Sequence, residues 1–92
     1  MIRGPMKEFI AALKEKRLAP TVIAHHSNGK TALRWYINNN EDCYVEAVDS
    51  LYSASFVIFR RTQQDAVITV EDSIDKAVVW IDEQLKVLLL RA

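Results

Sequence analysis

The side chains best equipped for chemistry are the adjacent pair His25-His26, the single Cys43, and the polar run Asn38-Asn39-Asn40-Glu41-Asp42. Each meets a physical obstacle. Successive residues of a strand point to opposite faces, so two adjacent imidazoles diverge and do not readily chelate one ion. One cysteine with scattered acids supplies no recognised zinc spacing. A nucleophilic Cys43 would need a base and an orienting group, and neither a nucleophile elbow nor a glycine-rich oxyanion loop is present. The run from Asn38 to Asp42 lacks the D-x-D-x-D-G order of a calcium loop and reads as a plain turn. Two glycines in the whole chain leave no phosphate-cradling loop. The sequence therefore predicts no catalytic residue, no metal and no cofactor, and binding becomes the expected function.

The residues that could carry binding sit on a predicted hairpin. Thr21–His26 and Thr31–Ile37 are strand-like runs flanking Ser27-Asn28-Gly29-Lys30. Asn-Gly suits a type I′ turn, which needs φ > 0 at both central positions. A two-residue turn there sets Ser27 opposite Lys30, Ala24 opposite Leu33 and Val22 opposite Trp35. Val22, Ala24, Leu33, Trp35 and Ile37 then form the core face, and Thr21, Ile23, His25, Ala32, Arg34 and Tyr36 the other. Positive groups beside an aromatic can meet phosphates and stack on a base. The expected partner-binding or nucleic-acid-binding set is His25, Asn28, Lys30, Arg34 and Tyr36, joined by Arg60 and Arg61 at the end of a later strand.

Other elements must hold that hairpin. Met6, Phe9, Ile10 and Leu13 have helical spacing, with Pro5 at a first-turn position and Pro20 as the stop, predicting a helix over about 5–18. Cys43–Val48 reads as a third strand and Ala54–Arg61 as a fourth. The fourth is apolar on both faces, which predicts an interior position. Ala66–Ile68 is compatible with a short further strand or with entry into the last helix. Thr69 and Asp72 resemble a capping box for a helix over about 70–90, whose stripe is Ile74, Ala77, Val78, Ile81, Leu85 and Leu88. Val79, Trp80, Val87, Leu89 and Leu90 fall partly off that stripe. Either the fold clasps this helix on two sides or its second face meets a partner.

Ninety-two residues, half of them hydrophobic, with twelve basic and twelve acidic side chains, describe one globular domain. Zero net charge removes the bulk electrostatics of a nucleic-acid binder, so phosphate contact is expected to be local and assisted by protein. Apolar runs such as Ala77–Ile81 fall far short of the roughly 20 residues of a membrane span. The charged first twenty residues lack a signal-peptide core, and a lone cysteine fits a reducing cytoplasm. The expected fold class is α+β: an antiparallel sheet of about four strands with the two helices on one face.

The order α-β-β-β(-β)-α is similar to that of double-stranded-RNA-binding domains. That family grips phosphates through a lysine-rich start of its last helix. Here the stretch is Glu71-Asp72-Ser73-Ile74-Asp75-Lys76, with three acids and one lysine, so the resemblance extends to topology and not to activity. In size, compactness and lack of enzyme motifs the chain resembles small phage accessory proteins, among them anti-CRISPR proteins that block type I surveillance complexes. That resemblance implies stoichiometric, non-enzymatic inhibition in the bacterial cytoplasm. The chain would dock on a Cas protein–guide RNA complex, with guide RNA in reach of the hairpin. The alternative from another class is a homodimeric adaptor pairing through Trp80, Leu89 and Leu90 of the C-terminal helix.

Overall fold

The computed structural model describes residues 4–25, 30–50 and 55–91. Its elements are α1 (Gly4–Glu15), β1 (Val22–His25), β2 (Thr31–Ile37), β3 (Asn40–Asp49), β4 (Phe56–Arg61), β5 (Ala66–Glu71) and α2 (Ile74–Arg91). The strands form one antiparallel sheet in chain order, five strands rather than four. Ala66–Ile68 thus begins a true strand, and β4 is interior as its two apolar faces require. Both helices pack on one face. Met6, Phe9, Ile10 and Leu13 of α1 join the α2 stripe of Ala77, Val78, Ile81, Leu85 and Leu88. Beneath them lie Leu33, Trp35, Ile37, Val45, Ala47, Phe56 and Ile58 of the sheet, and the Phe9 and Phe56 rings meet at 4.4 Å.

Helix α1 stops earlier than expected, and Pro20 is not the cause. Arg17 adopts φ 58°, while Leu18 N–H donates to Leu13 O at 2.8 Å and Arg17 N–H to Lys14 O at 3.1 Å. This is a Schellman ending with arginine where glycine is usual. Trp35 Nε1–H then donates to Leu18 O at 2.8 Å, anchoring the exit of the helix to the sheet. At the other helix, the cap is Ser73 and not Thr69: Ser73 Oγ accepts from Lys76 N–H at 3.4 Å. Thr69 lies in β5, where its hydroxyl bonds Glu71 at 3.2 Å.

Among the described residues, a tight positive-φ turn lies between β2 and β3. Asn38 (φ 53°) and Asn39 (φ 59°) form it, and asparagine tolerates this region better than most residues. Glu41 and Asp42 consequently belong to β3 rather than to a loop. Between Tyr36 and Ile37 the register breaks, Tyr36 pairing with Tyr44 and Ile37 with Asn40, so β3 bulges there.

In the first hairpin, Asn28 and Gly29 lie outside the described residues, but the flanking register is clear: Val22↔Arg34, Ile23↔Leu33, Ala24↔Ala32, His25↔Thr31. This is one residue away from the register of a two-residue turn, and a one-residue slip exchanges the faces of a strand. Val22 and Ala24 join the face of Arg34, whereas Ile23 and His25 join that of Leu33.

Candidate functional site

Opposed residues share a face, so the register places the outer face, the one without helices, in cross-strand rows. One runs Val22, Arg34, Glu46, Phe59, Ile68; another Tyr36, Tyr44, Arg61, Ala66; a third Ala24, Ala32, Val48, Val57, Val70. Among the described residues no element covers these rows. They are apolar and aromatic except at Arg34, Glu46 and Arg61.

The centre of the face is closely interlocked. Tyr36–Tyr44 and Tyr44–Phe59 each pack edge to face at 5.9 Å. The Arg34 guanidinium lies 4.2 Å from the Tyr44 ring centroid, donates to Tyr36 Oη at 3.1 Å and pairs with Glu46 Oε1 at 3.1 Å. Burial alone would lower the Arg34 pKa, but hydrogen bonds to Tyr36 and Glu46 and the charge of Glu46 raise it above the ordinary arginine value. Arg34 is thus a permanent cation already matched by a carboxylate. It ties β2 to β3 and stiffens the aromatic row.

The expected binding set separates. Arg34, Tyr36 and Arg61 share the outer face, with Arg61 exposed beside Tyr44. His25 is on the other face, where its Nδ1 lies 3.5 Å from Thr31 Oγ1. Asn28 lies outside the described residues, and Lys30 is half-buried just before β2. Arg60 is a correction: it points under the helices, 7% exposed, donating to Gln84 Oε1 at 2.7 Å and Asp65 Oδ2 at 3.1 Å. Adjacent strand residues alternate in direction, so Arg60 and Arg61 could never serve one surface. The sequence reading missed Tyr44, Glu46 and Phe59, whose alternation is visible in β3 and β4 once the Arg34↔Glu46 register is known.

For chemistry, the geometry brings little together. His25 pairs at the Thr31 end of β2, and Cys43 follows the bulge at the opposite end beyond Tyr36. Five residues of strand separate those levels by about 17 Å. Cys43 lines a shallow cleft with Asn38, Asn40, Asp42, Thr62 and Gln64. Among the described residues, no group of three or more His, Cys, Asp or Glu side chains is placed to hold a metal ion, and no helix is long and apolar enough to cross a membrane. What the outer face offers is an aromatic and aliphatic surface in which Ala32 and Tyr44 are buried and Ile68 and Val70 exposed, with one internally matched ion pair. No family model, curated protein or solved structure matches this chain.

Proposed function

We propose that the protein acts by stoichiometric docking onto another protein through the open face of its sheet, with no chemistry of its own. The observation that supports this is the row Arg34–Glu46–Phe59–Ile68 on the helix-free face, beside Tyr36–Tyr44 and tied together by ring contacts and one ion pair. A pre-ordered aromatic platform loses little side-chain entropy on binding, which is the property a small inhibitor needs. The target class follows from the resemblance to anti-CRISPR proteins: a bacterial type I Cas protein–guide RNA complex, met in the cytoplasm. The docking surface moves from the hairpin tip to the sheet. Contact with guide RNA falls to Arg61, because Arg34 is matched by Glu46 and Arg60 is buried.

The experiment is titration of a purified type I complex with the protein, reading target-DNA binding. Loss of DNA binding near equimolar inhibitor is expected. Tyr36→Ala and Val57→Asp, checked for native circular dichroism, should weaken inhibition by more than about tenfold, the scale of a hot-spot loss. Lys14→Ala on α1 should leave it unchanged. Undiminished DNA binding at excess protein overturns the target, and folded Tyr36→Ala and Val57→Asp variants of full potency overturn the surface.

A further inference from the structure

An open sheet has two edges, and here they differ. β1 is four residues long and follows Pro20. β5 reads Ala-Val-Ile-Thr-Val-Glu, pairs with β4 without a break from Ala66 to Glu71, and ends the strand order. Among the described residues no strand occupies its far side. It carries no proline, lysine or bulge to blunt that edge. Alternate backbone N–H and C=O groups of such a strand face away from its neighbour and match an added strand.

Beside that edge lies a groove with a definite charge. Glu71, the last residue of β5, lines it with Asp75, Lys76, Val79, Trp80 and Glu83 of α2. Its floor is apolar, with Trp80 half-buried and Val79 57% exposed. Its rim sets three carboxylates against one ammonium, an excess of two negative charges. Thr69 holds Glu71 in place, its hydroxyl donating to Oε1 at 3.2 Å. Asp75, Lys76 and Glu83 are exposed and form no ion pair among the described residues. In a chain of zero net charge the excess is a local feature of this flank. Carboxylates around an indole suit a cation on an apolar stem. The charged head stacks on the ring and meets the acids, while the methylenes cover the valine.

We propose that the β5 edge takes up an extended basic segment of another protein as a sixth strand, with arginine or lysine side chains on its helix-facing side. Strand alternation sets the pattern. Val67, Thr69 and Glu71 share the helix face of β5, opposite Arg60, Ile58 and Phe56 of β4. Residues of the added strand on that face stand next to the groove, and these are the basic ones. Residues on its other face lie beside Ile68 and Val70, which are 68% and 61% exposed, and are aliphatic. A second copy of this chain fits poorly. Antiparallel pairing of β5 with itself about Ile68 sets Glu71 against Asp65 and brings one acidic groove toward another. Pairing with a basic segment uses the backbone edge, leaves the Ile68 side chain on the outer face, and stands without the docking proposed above.

Calorimetric titration of the full chain with the peptide acetyl-Thr-Arg-Val-Arg-Val-Arg-Thr-amide tests it, alongside hydrogen exchange of the β5 amides. One-to-one binding with a dissociation constant below about 1 mM is expected, with slower exchange along β5. The same peptide with glutamate in place of arginine should bind at least about tenfold more weakly. Glu83→Lys, a change at an exposed helix position, should weaken the basic peptide by at least about tenfold with circular dichroism unchanged. No saturable binding of the basic peptide up to about 1 mM overturns the proposal. So does equal affinity for the acidic peptide, full affinity in folded Glu83→Lys, or binding that leaves β5 exchange unaltered. A chain already dimeric by sedimentation, with β5 protected before any peptide is added, gives the edge to a second copy and also overturns it. The titration contains no Cas complex, so its failure and that of the docking reading are distinguishable.

Discussion

Replacing Arg34 by alanine separates a structural role for this residue from a ligand-binding one. The Arg34–Glu46 pair is 3.1 Å long with side chains 32% and 12% exposed, so it is neither a free surface pair nor a dry one. A solvent-screened pair is worth about 0.2–1 kcal/mol. Stacking on Tyr44 adds about 0.5–1 kcal/mol. The larger effect is on what remains: a nearly buried Glu46 carboxylate without its donor costs roughly 1–3 kcal/mol. Arg34→Ala should therefore destabilise the fold by about 2–3 kcal/mol, lowering Tm by roughly 10–20 °C for a domain of this size. Urea unfolding of wild type, Arg34→Ala, Glu46→Gln and the double variant gives the check. The double variant should be less unstable than the sum of the singles by about 1 kcal/mol, since removing both partners leaves no orphaned charge. The raised Arg34 pKa fixes the pH response. A group whose folded pKa lies above its unfolded value gives full stability below the unfolded value, and loses it as pH rises through the folded one. The arginine side of the pair thus contributes evenly across the neutral and moderately alkaline range. A loss below about 0.5 kcal/mol on Arg34→Ala, within the range of an ordinary surface substitution, would refute the reasoning and return Arg34 to the pool of ligand-ready cations.

Three further outcomes follow from the same geometry. Arg60→Ala should cost about 2–3 kcal/mol by emptying a buried site and freeing Gln84, whereas Arg60→Met should come within about 1 kcal/mol of wild type, because apolar residues often replace buried charges at little cost; urea midpoints distinguish the two. Arg17→Gly should stabilise by about 0.5–1 kcal/mol, since glycine meets no Cβ penalty at the φ of 58° found there, seen as a Tm rise of several degrees. Ser73→Ala should cost about 1 kcal/mol through loss of the α2 cap, measurable by thermal melting.

The two helices and their buried stripes were legible because their pattern is local. Met6, Phe9, Ile10 and Leu13 sit within two turns, and each became a core residue. The first hairpin was not. Val22, Ile23 and Ala24 are all apolar, so alternation could not decide which of them faces the core. Residue type then leaves the register to the length of the connection, and the pairing His25↔Thr31 sets it one residue away from that of a two-residue turn at Asn28-Gly29. The platform was illegible for another reason. Arg34 and Glu46 are twelve residues apart, and they come opposite each other only because β3 bulges beside Ile37, an irregularity with no signature in residue type. Arg60-Arg61 is the reverse case. Strand alternation alone states that one of them must turn inward, and that rule was available from the residues.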